Sequence, residues 1–192
     1  MLYNRHDRLR QDYREMLKLW DRPYLSWVVT KGEVPYAEEY LLTVSLRSYA
    51  LRVDAGVHTV GVIRRQTVRV TLWDSYPHVA PKIRMLTLPP VFHPDWYSKG
   101  TYSPSTPWRP EMSLCEYILG MLRTLCYDPA VIDTVTPANY KALEWYQRRR
   151  EDAPALFPSD TRELSQNDPE TVNAIERAAG FDEIVDRWGN GI

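Results

Sequence analysis

His93, Asp95 and Ser103 fall within eleven residues of one another in the stretch FHPDWYSKGTYSPSTPW, residues 92–108. A serine oxygen attacks a carbonyl only when a neighbouring base takes its proton, and a histidine and a carboxylate are the usual candidates. A hydrolase triad is therefore the first chemistry to consider, and the local sequence argues against it. No Gly-x-Ser-x-Gly elbow is present, and Pro104 follows the serine directly. Cys115 offers a second nucleophile. It stands at the second position of a helix, where a thiol is usually packed, although a helix start lowers a thiol's pKa. Cys115 and Cys126 are eleven residues apart, which in a helix separates them by about 16 Å and forbids a bridge. Neither belongs to a Cys-x-x-Cys pair, and His6, His58, His78 and His93 are scattered. No zinc site and no cofactor are expected.

The elements that must position these side chains are legible from periodicity. Leu9, Tyr13, Met16, Leu17 and Trp20 recur at helical spacing between Asp7 and Trp20, with Arg8, Arg10, Arg14 and Lys18 on other faces. The motif DRP, residues 21–23, stops that helix. Strand-like runs follow: YLSWVVT from Tyr24, YLLTVSL from Tyr40, a YALRV to VHTVGVI region, and TVRVTLW from Thr67. In the last, Val68, Val70 and Leu72 alternate with Thr67, Arg69 and Thr71, the period of a half-buried antiparallel strand. A further edge is expected at Lys82 to Leu86. Residues 87–110 hold six prolines and no periodicity, and a loop of that length in a compact domain is usually functional. Its aromatics, Phe92, Trp96, Tyr97, Tyr102 and Trp108, favour order.

Ser113-Leu114-Cys115-Glu116 reads as a capping box. Leu114, Ile118, Met121, Leu122 and Leu125 then form a core stripe that ends at Tyr127 to Pro129. Another helix runs roughly from Pro137 to Arg150, and a last begins with Asp168 as N-cap and Pro169 at its first position. Helix, consecutive strands and closing helices make an α+β layout, with a boundary near Glu151. Residues 1–150 form the core domain and residues 151–192 a helical extension, whose Val172, Ile175, Phe181, Ile184, Val185 and Trp188 suggest docking.

Bulk composition narrows the function class. Apolar residues make up 44% and charged residues 26%, as in a soluble globular protein. A net charge of −1 supplies no basic field for nucleic acid or an anionic membrane. No stretch approaches the ~20 apolar residues of a membrane span, and MLYNRHDRLR is too polar for a secretory signal. A cytoplasmic location is expected.

Element order and local words together resemble the ubiquitin-conjugating enzymes. YPHVAPK, residues 76–82, stands at that family's proline turn, and FHPDWYSKG, residues 92–100, at its His-Pro-Asn-x-x-x-x-Gly motif. WRP, residues 108–110, matches the tryptophan loop, and DPAVIDTVTP, residues 128–137, the segment before the third helix. The likeness covers roughly residues 5–150. It implies an N-terminal helix, a four-stranded antiparallel meander sheet and closing helices. An RWD-like domain has a similar layout without the conjugating role.

The resemblance also implies the site. The family's cysteine lies ten residues beyond the histidine and three beyond the glycine, and both counts reach Ser103. Three readings follow. Ser103 carries a ubiquitin-like protein's C-terminus as an oxyester, or the chain is a silent module that holds such a protein noncovalently, or the serine replaces a cysteine to trap an intermediate. Asp133 matches the acid that orients the incoming amine, though an isolated aspartate before a helix is more often a cap. Asp95 replaces an amide donor with a carboxylate, which opposes an oxyanion if charged and close. It is harmless or useful if it braces the loop or serves Ser103 as a base. His93 is structural in the family. Expected partners are an activating enzyme meeting Arg8, Arg10, Arg14 and Lys18, a ubiquitin-like protein and a target amine. His78 and Glu111 stand where ligases usually find apolar contacts, so docking to a common RING-type ligase looks poor.

Overall fold

The structure, a computed structural model, describes residues 4–178. Helix α1 (Arg5–Leu17) is capped by Asn4, whose side chain accepts from the His6 N–H. Strands β1 (Leu25–Lys31) and β2 (Glu39–Val44) follow, then β3 (Ser48–Asp54), β4 (Val57–Ile63), β5 (Gln66–Thr71) and β6 (Lys82–Met85). Helices α2 (Leu114–Leu125), α3 (Tyr140–Asp152) and α4 (Pro169–Ala178) close the chain.

The expected four-stranded antiparallel sheet is present, in the order β1-β2-β5-β6. One part of the meander differs. The YALRV to VHTVGVI region leaves the sheet as a separate hairpin, β3-β4, paired only with itself in that register. Its base is tied to the candidate-site loop, where Tyr49 O accepts the Phe92 N–H at 2.8 Å. Its outer half, including Val53 and Val57, is exposed, so its apolar residues reflect β propensity rather than burial.

Alternation decides which face of the main sheet is buried. Tyr40, Leu42 and Val44 of β2, Val68 and Val70 of β5, and Ile83 and Met85 of β6 all point into one core. The α2 stripe of Leu114, Ile118, Met121, Leu122 and Leu125 joins it, as do Leu9, Met16 and Leu17 of α1. Removing each such side chain from water stabilises by about 1.5–3 kcal/mol. A smaller cluster of Tyr49, Tyr127, Ile132, Leu143 and Tyr146 packs between the hairpin base and α3.

The capping box forms as expected: Ser113 Oγ accepts the Glu116 N–H and the Glu116 carboxylate accepts the Ser113 N–H. Glu151 lies within α3, and the chain beyond it returns to α1. Asn167 donates from Nδ2 to Leu17 O at 3.2 Å and Trp20 O at 2.9 Å, and from its backbone N–H to Lys18 O. Those carbonyls lie at the end of α1, where helical partners run out. Val172 and Ile175 of α4 pack on the main core, while Phe181, Ile184, Val185 and Trp188 lie outside the described residues. Among the described residues no helix is long and apolar enough to cross a membrane.

Candidate active site

Residues 86–113 are ordered by pairing that periodicity could not show. Met85 N–H donates to Gly100 O at 2.8 Å and Tyr102 N–H to Ile83 O at 3.1 Å, so residues 100–102 lie along the free edge of β6. Gly100 turns the chain there at φ +84°, and a Cβ on it would meet Met85 O at 3.0 Å. The loop then pairs with itself: Trp96 bridges Tyr102, and Ser103 N–H donates to Asp95 O at 2.8 Å. Trp96 is fully buried, with its indole N–H donating to Thr124 Oγ1 of α2 at 3.0 Å. These bonds fix where Ser103 sits. Its side chain is half-buried, and its hydroxyl makes no hydrogen bond among the described residues.

The structure brings the other sequence-identified residues alongside. Asp95 and His93 are both fully buried. Asp95 N–H donates to His93 Nδ1 at 3.0 Å, which places the ring proton on Nε2, and Nε2 has no partner. Burial pushes the His93 pKa down to about 3, so the ring is neutral and serves as packing and loop brace.

Asp133 meets this pair through its backbone. Its N–H donates to Asp95 Oδ1 at 2.9 Å, while Asp95 Oδ2 is buried without a partner. Burial raises the Asp95 carboxyl to about 7; the Asp133 N–H opposes the shift and the Asp133 charge adds to it. The Asp133 carboxylate closes a turn. Oδ1 accepts the Thr136 and Val135 N–H groups at 2.8 Å each, and Oδ2 accepts the Thr136 hydroxyl at 2.7 Å. The Thr136 N–H, the Thr136 hydroxyl and the Val135 N–H hold its pKa below the usual carboxylate value. A capping role and a place beside Asp95 thus coexist in one residue. Sequence reasoning misses the Asp133 N–H contact, because only the fold sets residue 133 against residue 95.

Further bonds knit the two loops. Asn139 N–H donates to Pro94 O at 2.9 Å and Ser105 Oγ to Val131 O at 2.9 Å. A groove of about 500 Å³ runs between the loop and α2, lined in part by Tyr102, Pro104, Ser105, Met112 and Tyr117. Cys115 does not reach it. The thiol is buried in the core, and burial pushes its pKa up to about 12. No group of three or more possible metal ligands occurs among the described residues.

The basic face expected on α1 needs one correction. Arg8 is buried, not presented to partners, because its guanidinium makes an ion pair with Asp12 at 2.7 Å and donates to Tyr76 OH at 3.1 Å. It also donates to Pro110 O and Met112 O. Arg10, Arg14 and Lys18 remain partly exposed, each beside an acid: Asp7 at 3.3 Å, Glu176 at 2.8 Å and Glu15 at 2.6 Å.

No family model matches the chain. Among solved structures it is similar to S. cerevisiae Ubc12, at TM-score 0.53 and 19% identity over 88% of this chain and 86% of that one. A Plasmodium vivax ubiquitin conjugating enzyme E2 aligns at TM-score 0.43 and 16% identity over 62% of this chain and 98% of that one. The first similarity, with the element order above, gives this chain the UBC-like fold of ubiquitin-conjugating enzymes.

Proposed function

We propose that this protein is a conjugating transferase that accepts the C-terminus of a ubiquitin-like protein from an activating enzyme as an oxyester on Ser103 and passes it to an amine. The observation that carries this reading is the placement of Ser103. Its backbone is pinned to Asp95 while its hydroxyl is left without a hydrogen bond, at the position that the sequence resemblance assigns to the family's nucleophile. The groove beside Tyr102 and Pro104 offers room for an extended peptide tail. Asp133 stays ionised and biases the site toward a cationic or amine-bearing acceptor. The activating enzyme would meet α1 through Arg10, Arg14 and Lys18. Since each has an acidic neighbour, docking exchanges partners rather than steering by a bare positive field.

A noncovalent holding module is the competing reading. It draws on one observation, that the carboxylate of Asp133 is already engaged in a turn. The two separate on incubation with activating enzyme, ubiquitin-like protein and ATP. The transferase reading expects an adduct that resists thiol reductant, yields to mild base, disappears in Ser103→Ala and persists in Cys115→Ala. Binding without any adduct would establish the module instead.

A further inference from the structure

We propose that Asp95 is the proton acceptor and donor of Ser103: its carboxylate takes the hydroxyl proton as Oγ attacks the acyl group, and it supplies a proton to Oγ when an amine displaces it. This rests on the reading of Ser103 as acyl carrier. A serine hydroxyl needs a base to become a useful nucleophile, and the titratable groups of the two site loops can be taken in turn.

His93 has its Nδ1 lone pair occupied by the Asp95 N–H, and burial lowers its pKa to about 3. Asp133 gives its carboxylate to three donors in a turn, which makes it a weaker base than a free aspartate. The phenols of Tyr102 and Tyr127 are pushed up by burial. Asp95 differs from all of these. One oxygen is held by the Asp133 N–H and the other is buried with no partner, a rare and costly state for a carboxylate. Its backbone carbonyl takes the Ser103 N–H, so the two residues are paired through their backbones. In this structure Oδ2 and the Ser103 hydroxyl are not yet hydrogen-bonded to one another, and the base acts once the acyl group is seated.

The titratable groups that face Asp95 are Asp133 from the loop after α2, Tyr102 and Tyr127, with His93 on its own loop. None of them is a cation that would hold the carboxyl ionised at low pH. Burial instead raises it to about 7, where an acid is partly ionised and appreciably basic at neutral pH.

The step balances. On loading, the Oγ–C bond forms and the bond from the carbonyl to the activating enzyme's sulfur or oxygen breaks. The proton moves from Oγ to Asp95 and on to the departing thiolate or alkoxide. On transfer, the C–N bond forms and the C–Oγ bond breaks. Asp95, ionised again after loading, takes the proton that the attacking amine sheds and delivers it to Oγ as that bond breaks.

A thiol at position 103 supplies the test, since it ionises near neutral pH without a dedicated base. The loading rate onto Ser103 is measured from about pH 5.5 to 8.5 in the wild type, Asp95→Asn, Ser103→Cys and the double variant. The wild-type rate is expected to rise with pH through about 7. Asp95→Asn should slow ester formation by about 10²–10⁴-fold and abolish that rise. Ser103→Cys should load equally well with or without Asp95→Asn. Equal slowing by Asp95→Asn in the serine and cysteine backgrounds would reduce Asp95 to a loop brace and overturn the proposal. So would wild-type rates in Asp95→Asn. If the wild type forms no adduct at all, the acyl-carrier reading itself fails, and this proposal with it.

Discussion

Asp12 and Asp95 are both buried aspartates, and they live in opposite circumstances. Asp12 accepts from Arg8 Nε at 2.7 Å, from the Tyr76 hydroxyl and from the Leu114 N–H at 3.0 Å. Arg8 in turn reaches Tyr76, Pro110 and Met112, with its guanidinium 5.6 Å from the Trp108 ring. One ion pair thereby ties α1, the Tyr76 turn, the tryptophan loop and the start of α2 into a single frame. Asp95 has one donor and one orphan oxygen. A satisfied buried network specifies geometry. An unsatisfied carboxyl costs stability and is tolerated where chemistry uses it. On the proposed function, the contrast separates a structural frame from the candidate site.

Breaking the frame should have the largest effect. Arg8→Ala leaves Asp12 buried and uncompensated, and is expected to cost about 3–5 kcal/mol, read as a lowered denaturant midpoint. A loss under ~1 kcal/mol would show that the network is not structural.

Asp95→Asn should act in the opposite direction. In the folded chain Asp95 holds its proton up to about pH 7, whereas in the unfolded chain it releases it near 3.9. Its contribution to stability is therefore fully present below about pH 4 and is lost as pH rises through about 7. The wild-type thermal midpoint should fall across that window from this group, and Asp95→Asn should remove this component of the fall. Near pH 8 the variant should be more stable by on the order of 2–4 kcal/mol, even as loading is impaired. A midpoint below wild type at pH 8 would contradict the account.

The smallest effect is expected where the chain's last described segment meets α1. Asn167→Ala removes the side-chain cap from Leu17 O and Trp20 O, for about 0.5–2 kcal/mol by thermal unfolding. Because this change lies in neither the frame nor the site, loading of Ser103 should be unaltered. A large loss of loading would instead tie α4 to partner docking.

Much of this architecture is legible in the amino-acid sequence. The alternation of Val68, Val70 and Leu72, the stripe on α2 and the Ser113 capping box are local signals, and each forms as the sequence predicts. The order of short words around His93, Gly100 and Trp108 picks out the loop that carries the candidate site. Contacts between distant segments are not legible. Arg8 reads as one cation of an exposed face because its burial depends on Tyr76 and Pro110, which lie 68 and 102 residues away. The β3-β4 hairpin reads as part of the meander because alternation does not say which sheet a strand joins. Asp133 is singled out in the sequence only through the family resemblance, and its backbone contact with Asp95 spans 38 residues and carries no sequence signature.

Peptide mapping by mass spectrometry after loading would locate the acyl bond on the chain. The protein would be incubated with activating enzyme, ubiquitin-like protein and ATP, quenched in acid, digested and searched for the modified position. The ubiquitin-like C-terminal remnant is expected on the peptide containing Ser103, lost after mild alkali. A remnant confined to a lysine or to Cys115, or a peptide that stays unmodified while the partner is bound, would contradict it.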